Sequence, residues 1–291
     1  MGAMVHDAIL GSLTISQCSQ ASEQTNNEIT RGYSSGAVVA EATFLNKSEP
    51  VGSWTTTDLA TVLAGIDLTS GLCISSGTIT LAWAKQGCSG DLGSGNHLVR
   101  SATNAFAMIQ SISARQGETA TATIESCFLS STGFASPISS VVNGNLSSQS
   151  FQSEYRLGPV TVNSTTLTGV TGFTINPNLR YEKRYNDGAI YPTHTFLDRA
   201  EPTVDVTFEN QAYANTYGPV FATMTTAYFF LRKKAEGGTV VADGTAEHIA
   251  ISFGAGIVSM EQISGQGRTP AEVTLRIHGL QLAVNTASAI S

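Results

Sequence analysis

The chain has 291 residues, a formal net charge of -7 and 13% charged side chains, about half the share usual in a soluble domain. Its 32 Ser, 35 Thr and 28 Gly favour short strands joined by tight turns and exclude a helical bundle, a coiled coil or a collagen-like repeat. The acid excess excludes a protein that grips duplex DNA by neutralising its phosphates with Lys and Arg.

The opening Met1-Gly2-Ala3-Met4-Val5-His6-Asp7 has no basic region followed by an apolar run, so no signal peptide is expected. No stretch reaches about 18 uninterrupted apolar residues, so no membrane-spanning helix is expected either. The chain reads as soluble and made in a cytoplasm.

In chain order, Leu13-Thr14-Ile15 predicts a short strand, and Asp58-Leu59-Ala60-Thr61-Val62-Leu63-Ala64 predicts a helix whose first amides Asp58 caps. Residues 130–153 contain nine serines and no charge, which predicts a linker. Beyond it, Val160-Thr161-Val162, Val204-Asp205-Val206-Thr207-Phe208-Glu209, Ile249-Ala250-Ile251-Ser252-Phe253 and Glu272-Val273-Thr274-Leu275-Arg276-Ile277 alternate apolar with polar residues. Period 2 means half-buried strands. A second short helix is expected within 210–223, weakened by Gly218-Pro219. The fold class is mainly β.

The linker falls near the midpoint and invites a search for an internal repeat. Gly11-Ser12-Leu13-Thr14-Ile15 matches Gly158-Pro159-Val160-Thr161-Val162 at an offset of 158 − 11 = 147, and Glu49-Pro50 matches Glu201-Pro202 at 201 − 49 = 152. Leu81-Ala82-Trp83-Ala84-Lys85 falls on Phe229-Phe230-Leu231-Arg232-Lys233 at 233 − 85 = 148, and Ile112-Ser113 with Ala122 falls on Ile263-Ser264 with Val273 at 263 − 112 = 151. Four collinear anchors predict two tandem β domains, 1–129 and 154–291, joined by the linker 130–153.

The search for chemistry singles out no catalytic, cofactor-binding or metal-ligating residue, and no enzyme activity is expected. Gly32-Tyr33-Ser34-Ser35-Gly36 satisfies the nucleophile-elbow string, but a strand-like segment follows where a helix is needed, which predicts a hairpin tip. His6, His97, His194, His248 and His278 have no ligand spacing, and His248 and His278 are expected on the surface. Cys18, Cys73, Cys88 and Cys127 read as small buried hydrophobes. Gly93-Ser94-Gly95-Asn96 and Gly254-Ala255-Gly256 read as loops, and the sequons at Asn46, Asn145 and Asn163 as accidents of composition. Two basic clusters remain, Arg180 with Lys183 and Arg184, and Arg232 with Lys233 and Lys234; they either pair with acidic patches on a neighbouring copy or stand in solvent.

Each half thus presents an opening strand, a long polar loop, a Glu-Pro-led strand entering a short helix, a central strand and a closing hairpin. In this order of elements, and in Gly256-Ile257-Val258-Ser259 and Gly265-Gln266-Gly267 before the closing strand, the chain resembles the major tail-tube protein of long-tailed bacteriophages with a duplicated tube domain. The resemblance covers nearly the whole chain and implies two tube-like β-barrel or sandwich domains, each with a short helix, and no cofactor. It implies a virion structural protein that self-assembles into trimeric, pseudo-sixfold rings stacked as a tube, with tape-measure and tail-terminator proteins as partners and no membrane. DNA would pass along an acidic bore without specific binding, and the loops at 17–36 and 182–199 would reach adjacent rings. Other tail components, a capsid-decorating protein and a β-sandwich hydrolase stand as alternatives.

Overall fold

Alternation becomes burial directly in the strands. Thr203–Phe208 buries Val204, Val206 and Phe208 in the core and turns Asp205 to the opposite face, where the Arg276 guanidinium holds it through two bonds of 2.7 and 3.1 Å. The two residues lie directly opposite in neighbouring strands, so the pair fixes register as well as charge. A computed structural model describes residues 3–11, 13–36, 38–65, 74–85, 97–146, 148, 153–209, 212–217, 221–235, 237–265 and 271–290. Cys73, Cys88, Gly93-Ser94-Gly95-Asn96, Ser147, Asn210, Gly218-Pro219 and Gln266-Gly267 lie outside the described residues.

The first half contains β1 (Ala3–Leu10), β2 (Leu13–Ile15), β3 (Cys18–Gln24), β4 (Asn27–Gly32), β5 (Ala42–Ser48), β6 (Val51–Thr56), α1 (Leu59–Gly65), β7 (Ile74–Lys85), β8 (His97–Arg115), β9 (Thr121–Phe128) and β10 (Ile138–Gly144). The second contains β11 (Glu154–Val162), β12 (Thr165–Leu167), β13 (Val170–Asn176), β14 (Leu179–Arg184), β15 (His194–Ala200), β16 (Thr203–Phe208), α2 (Ala212–Thr216), β17 (Ala222–Met224), β18 (Ala227–Lys234), β19 (His248–Phe253), β20 (Gly256–Ser264), β21 (Glu272–Gly279) and β22 (Leu282–Ser288). The protein is mainly β.

Thirteen strands form one sheet along β17-β20-β21-β16-β13-β8-β7-β1-β2, with β9 and β10 also on β8 and with β6 linking β9 to β3. A second sheet runs β12-β11-β18-β19-β22, and β4–β5 and β14–β15 are separate two-stranded arms. The barrel alternative fails, since no sheet closes on itself among the described residues. The two sheets pack face to face instead: Phe173 of β13 meets Phe229 of β18 edge-on at 5.4 Å, and Phe229 packs edge-on at 5.8 Å against Phe253 of β19, its neighbour in the same sheet. One apolar core runs from Ala8 to Leu282 across both halves.

Several expectations change. The polar loops expected at 17–36 and 182–199 are strands and hairpin arms: β3 takes its backbone partners from β6, β4 from β5 and β14 from β15. Part of the expected linker, Ile138–Gly144, is β10 and pairs with β8. Asp58 stands at the start of α1, its carbonyl accepting the Val62 N–H, but its carboxylate accepts the Ser16 N–H at 3.2 Å and so ties the helix to the β2–β3 corner. His248 is fully buried, since its Nδ1 accepts the Lys233 N–H at 3.1 Å and Nε2–H donates to the Ala242 carbonyl at 3.0 Å, leaving no ring nitrogen without a partner.

The pairing scheme recurs. β1–β2, β1–β7, β3–β6, β4–β5, β6–β9, β8–β9 and β10–β8 correspond to β11–β12, β11–β18, β13–β16, β14–β15, β16–β21, β20–β21 and β22–β19. β7–β8 is matched by β18–β19 continued in β17–β20. Left-handed backbone recurs with it: Gly11 and Asn163, Gln17 and Gly169, Asn26 and Asn178, and Gly36 and Gly188 all have positive φ and lie 152 apart (163 − 11, 169 − 17, 178 − 26, 188 − 36). The first sequence anchor is therefore out of register: Val160-Thr161-Val162 occupies the place of Ala8-Ile9-Leu10, not of Leu13-Thr14-Ile15.

Candidate assembly interface

One pairing of named strands has no counterpart, and it joins the halves. β13 lies antiparallel to the end of β8, with Gly172 opposite Arg115, Phe173 opposite Ala114, Thr174 opposite Ser113 and Ile175 opposite Ile112. Ile112, Ala114, Phe173 and Ile175 are buried there, while Ser113 and Thr174 share a hydroxyl hydrogen bond of 3.2 Å on the other face. Thr119 bridges to Arg156, and the Ala120 N–H donates to the Tyr155 carbonyl at 2.7 Å. Glycine suits this crossing, because a Cβ at Gly172 would stand 3.0 Å from the Ala114 carbonyl oxygen.

The second-half arm adds a side-chain joint. β14–β15 lies over β8–β9, where Leu179 and Tyr181 pack against Phe106, Met108 and Cys127. The Tyr181 ring meets Phe106 edge-on at 4.8 Å, and its hydroxyl donates to Glu125 at 2.8 Å. Glu49, just before β6, receives Lys47 of its own arm, Lys183 at 3.0 Å and the Tyr185 hydroxyl. Desolvation works to raise the Glu49 carboxyl, but the hydrogen bonds from Lys47, Tyr185 and Lys183 outweigh it and hold it at about 2. Burial and the Glu49 contact push the Tyr185 phenol up. At the arm's tip the Ile190 carbonyl accepts the Ser48 N–H at 2.9 Å and the Pro192 carbonyl accepts the Ser130 N–H at 2.8 Å.

Among the described residues, the two strands that correspond to the β8–β13 joint keep an open edge, and a groove lies beside one of them. β3 pairs with β6 alone among the described strands. β20 pairs with β17 over Gly256–Val258, and its outer half has β21 as its one partner among the described strands, with Ile263 54% exposed. An open groove of about 680 Å³ lies beside the inner half of β20, lined by Glu201, Pro202, Met224, Ile257, His278 and Leu280.

The remaining sequence candidates carry no joint chemistry. Gly32–Gly36 is the tip side of the β4–β5 hairpin, and the Ser34 hydroxyl donates to Glu41 at 2.7 Å. Cys18 and Cys127 are free thiols that burial pushes up to about 12. Arg232, Lys233 and Lys234 pair within the chain with Asp243, Glu247 and Glu154. Of the other cluster, Lys183 crosses to the first half, whereas Arg184 pairs with Glu182 beside it. Among the described residues no three His, Cys, Asp or Glu side chains gather as metal ligands, and no helix is long and apolar enough to cross a membrane. No protein-family model and no curated protein matches the chain.

Sequence reading missed both joints. The signal was present in Thr43-Phe44-Leu45-Asn46-Lys47-Ser48-Glu49-Pro50 and Thr195-Phe196-Leu197-Asp198-Arg199-Ala200-Glu201-Pro202, identical at Thr, Phe, Leu, Glu and Pro. Only the Glu-Pro pair of that match entered the repeat.

Proposed function

We propose that the chain is a virion structural subunit of the tail-tube kind: two fused copies of one β unit that polymerise by repeating between chains the joint already made within each chain. The observation that carries this reading is the β8–β13 pairing, which meets edge to edge two strands whose counterparts, β20 and β3, remain open. By correspondence Ile263 would face Glu23 and Ser264 would face Ser22 across the joint, as Ile112 faces Ile175 and Ser113 faces Thr174. An open edge is a liability unless something pairs with it, and strand addition supplies main-chain hydrogen bonds to both partners.

A contact between two different patches is head to tail, so it builds a ring when the rotation closes and a filament when it does not. Three chains with two units each give the pseudo-sixfold ring that the tail-tube resemblance implies, with tape-measure and terminator proteins as further partners and an acidic bore that repels DNA phosphates. The shortage of charge fits a chain with much surface at such contacts, since an unpaired charge there costs desolvation while Ser and Thr need one hydrogen bond.

Negative-stain microscopy of the purified chain tests the reading. Long tubes with a regular axial repeat support it. Isolated rings favour a tail-tip or decorating protein, and monomers at every concentration overturn self-assembly.

A further inference from the structure

We infer that the β4–β5 arm of one chain seats in the open groove on the second half of another copy, as β14–β15 seats on the first half within the chain. The inference rests on the assembly reading for its partner, a second copy, but it names a joint that sheet-edge pairing does not require.

The two seats correspond. Phe106 lies opposite Cys127 in the β8–β9 ladder, and Ile257 lies opposite His278 in the β20–β21 ladder, 151 positions on in each strand (257 − 106, 278 − 127). Glu49 leads into β6 as Glu201 leads into β16, and each is held by the basic residue two positions before it, Lys47 or Arg199. What differs is occupancy. Glu49 is completed by Lys183 and Tyr185, whereas Glu201 stands exposed on the groove wall and Leu280 is 77% exposed beside it.

The two arms correspond as well. Both ladders carry a register shift at the same place, after Glu28 and after Arg180. Moving back 152 positions takes Tyr181, Lys183 and Tyr185 to Ile29, Arg31 and Tyr33: an apolar contact, a cation and a phenol in the same order. In the seated arm these side chains are half-buried; in the free arm Ile29 is 55% exposed and Arg31 and Tyr33 are exposed with it. The Arg31 side chain makes no ion pair or hydrogen bond among the described residues. At the tip, Val38 is 95% exposed, while its counterpart Ile190 is half-buried and bonded through its carbonyl to Ser48. A projecting arm with Ile29, Val38, Val39 and Phe44 in water is apolar surface made for a partner.

Seated in the groove, Arg31 and Tyr33 reach Glu201, and Ile29 covers Ile257 and His278. One contact does not carry over: Tyr181 with Glu125 becomes Ile29 with Arg276, and Arg276 is already held by Asp205. The intermolecular seat is therefore centred on Glu201.

Charge reversal tests this in the full chain. Arg31→Glu and Glu201→Arg are expected, each alone, to weaken chain–chain association by about tenfold or more in sedimentation velocity, and the double variant to regain most of it. Both residues are exposed in the single chain, so its melting temperature should not move. If the wild type assembles and both single variants assemble equally well, the arm joint is overturned while the sheet-edge joint stands. If the singles fail and the double stays as weak as they are, the pairing of Arg31 with Glu201 is overturned. A wild type that assembles with the expected charge rescue but never forms tubes supports the arm joint and counts against the tail-tube reading alone. A wild type that stays monomeric overturns both.

Discussion

The Lys183 ammonium lies 3.0 Å from a Glu49 carboxylate oxygen, across 134 positions of sequence. With Tyr185 on the other oxygen, it makes one glutamate the point where the second-half arm is locked to the first half. The same glutamate ties down Lys47 of β5, so a single carboxylate joins β5 to β14.

That contact predicts an acid-sensitive arm. The Glu49 carboxyl is lowered from 4.5 to about 2, so its stabilisation is fully present above pH 4.5 and is lost as pH falls towards 2. Because Glu49 is partly exposed, screening limits the effect to about 1 kcal/mol. Melting temperature followed from pH 6 to pH 2 should fall less steeply in Glu49→Gln than in the wild type. Equal slopes in the two proteins would count against the lock.

Phe229 is fully buried between the two sheets with Phe173 and Phe253 on its edges. Phe229→Ala removes the ring from both contacts and leaves a void, at a cost of about 3–5 kcal/mol. Urea denaturation reads this directly, and a loss below about 1 kcal/mol would mean that the sheets do not depend on this contact.

Gly172 tests the internal joint. A branched side chain at this position presses on the Ala114 carbonyl and on the Arg115 side chain, with a Cβ already 3.0 and 3.2 Å from them. Gly172→Val is expected to cost about 1–3 kcal/mol in chemical denaturation. Full wild-type stability would show that the β8–β13 crossing yields without strain.

The open edge makes a charge-specific prediction. With Ile263 facing Glu23 of the next chain, a carboxylate that Arg100 already holds, Ile263→Glu crowds a second acid onto that pair and should weaken assembly more than Ile263→Arg does. Light scattering during concentration separates the two. Equal behaviour of the variants would overturn the register, and Ile263 is exposed enough in the single chain for both to fold.

Much of the fold was legible because strand faces are encoded locally. Val204, Val206 and Phe208 were readable as one face from their spacing, and all three are fully buried. Asp58 was readable as the start of a helix, yet its carboxylate turns to Ser16, a neighbour 42 positions away that no local pattern names. His248 looked like a polar strand end and is buried, because the Lys233 amide and the Ala242 carbonyl happen to meet its two nitrogens. The arms were misread as loops because Asn27–Gly32 has almost no apolar alternation; its order comes from the β5 backbone opposite.

The sequence by itself determined the β composition, the faces of the longer strands and the places of α1 and α2, all of which follow from the spacing of side chains along a short segment. Only the tertiary structure decided which strand edge meets which, that β14–β15 is seated while β4–β5 is free, and that Glu49 has the partners Glu201 lacks. Every residue but proline carries the same backbone donor and acceptor, so an edge looks alike wherever it occurs in the sequence. Whether it is paired or open is settled by what the rest of the chain brings beside it.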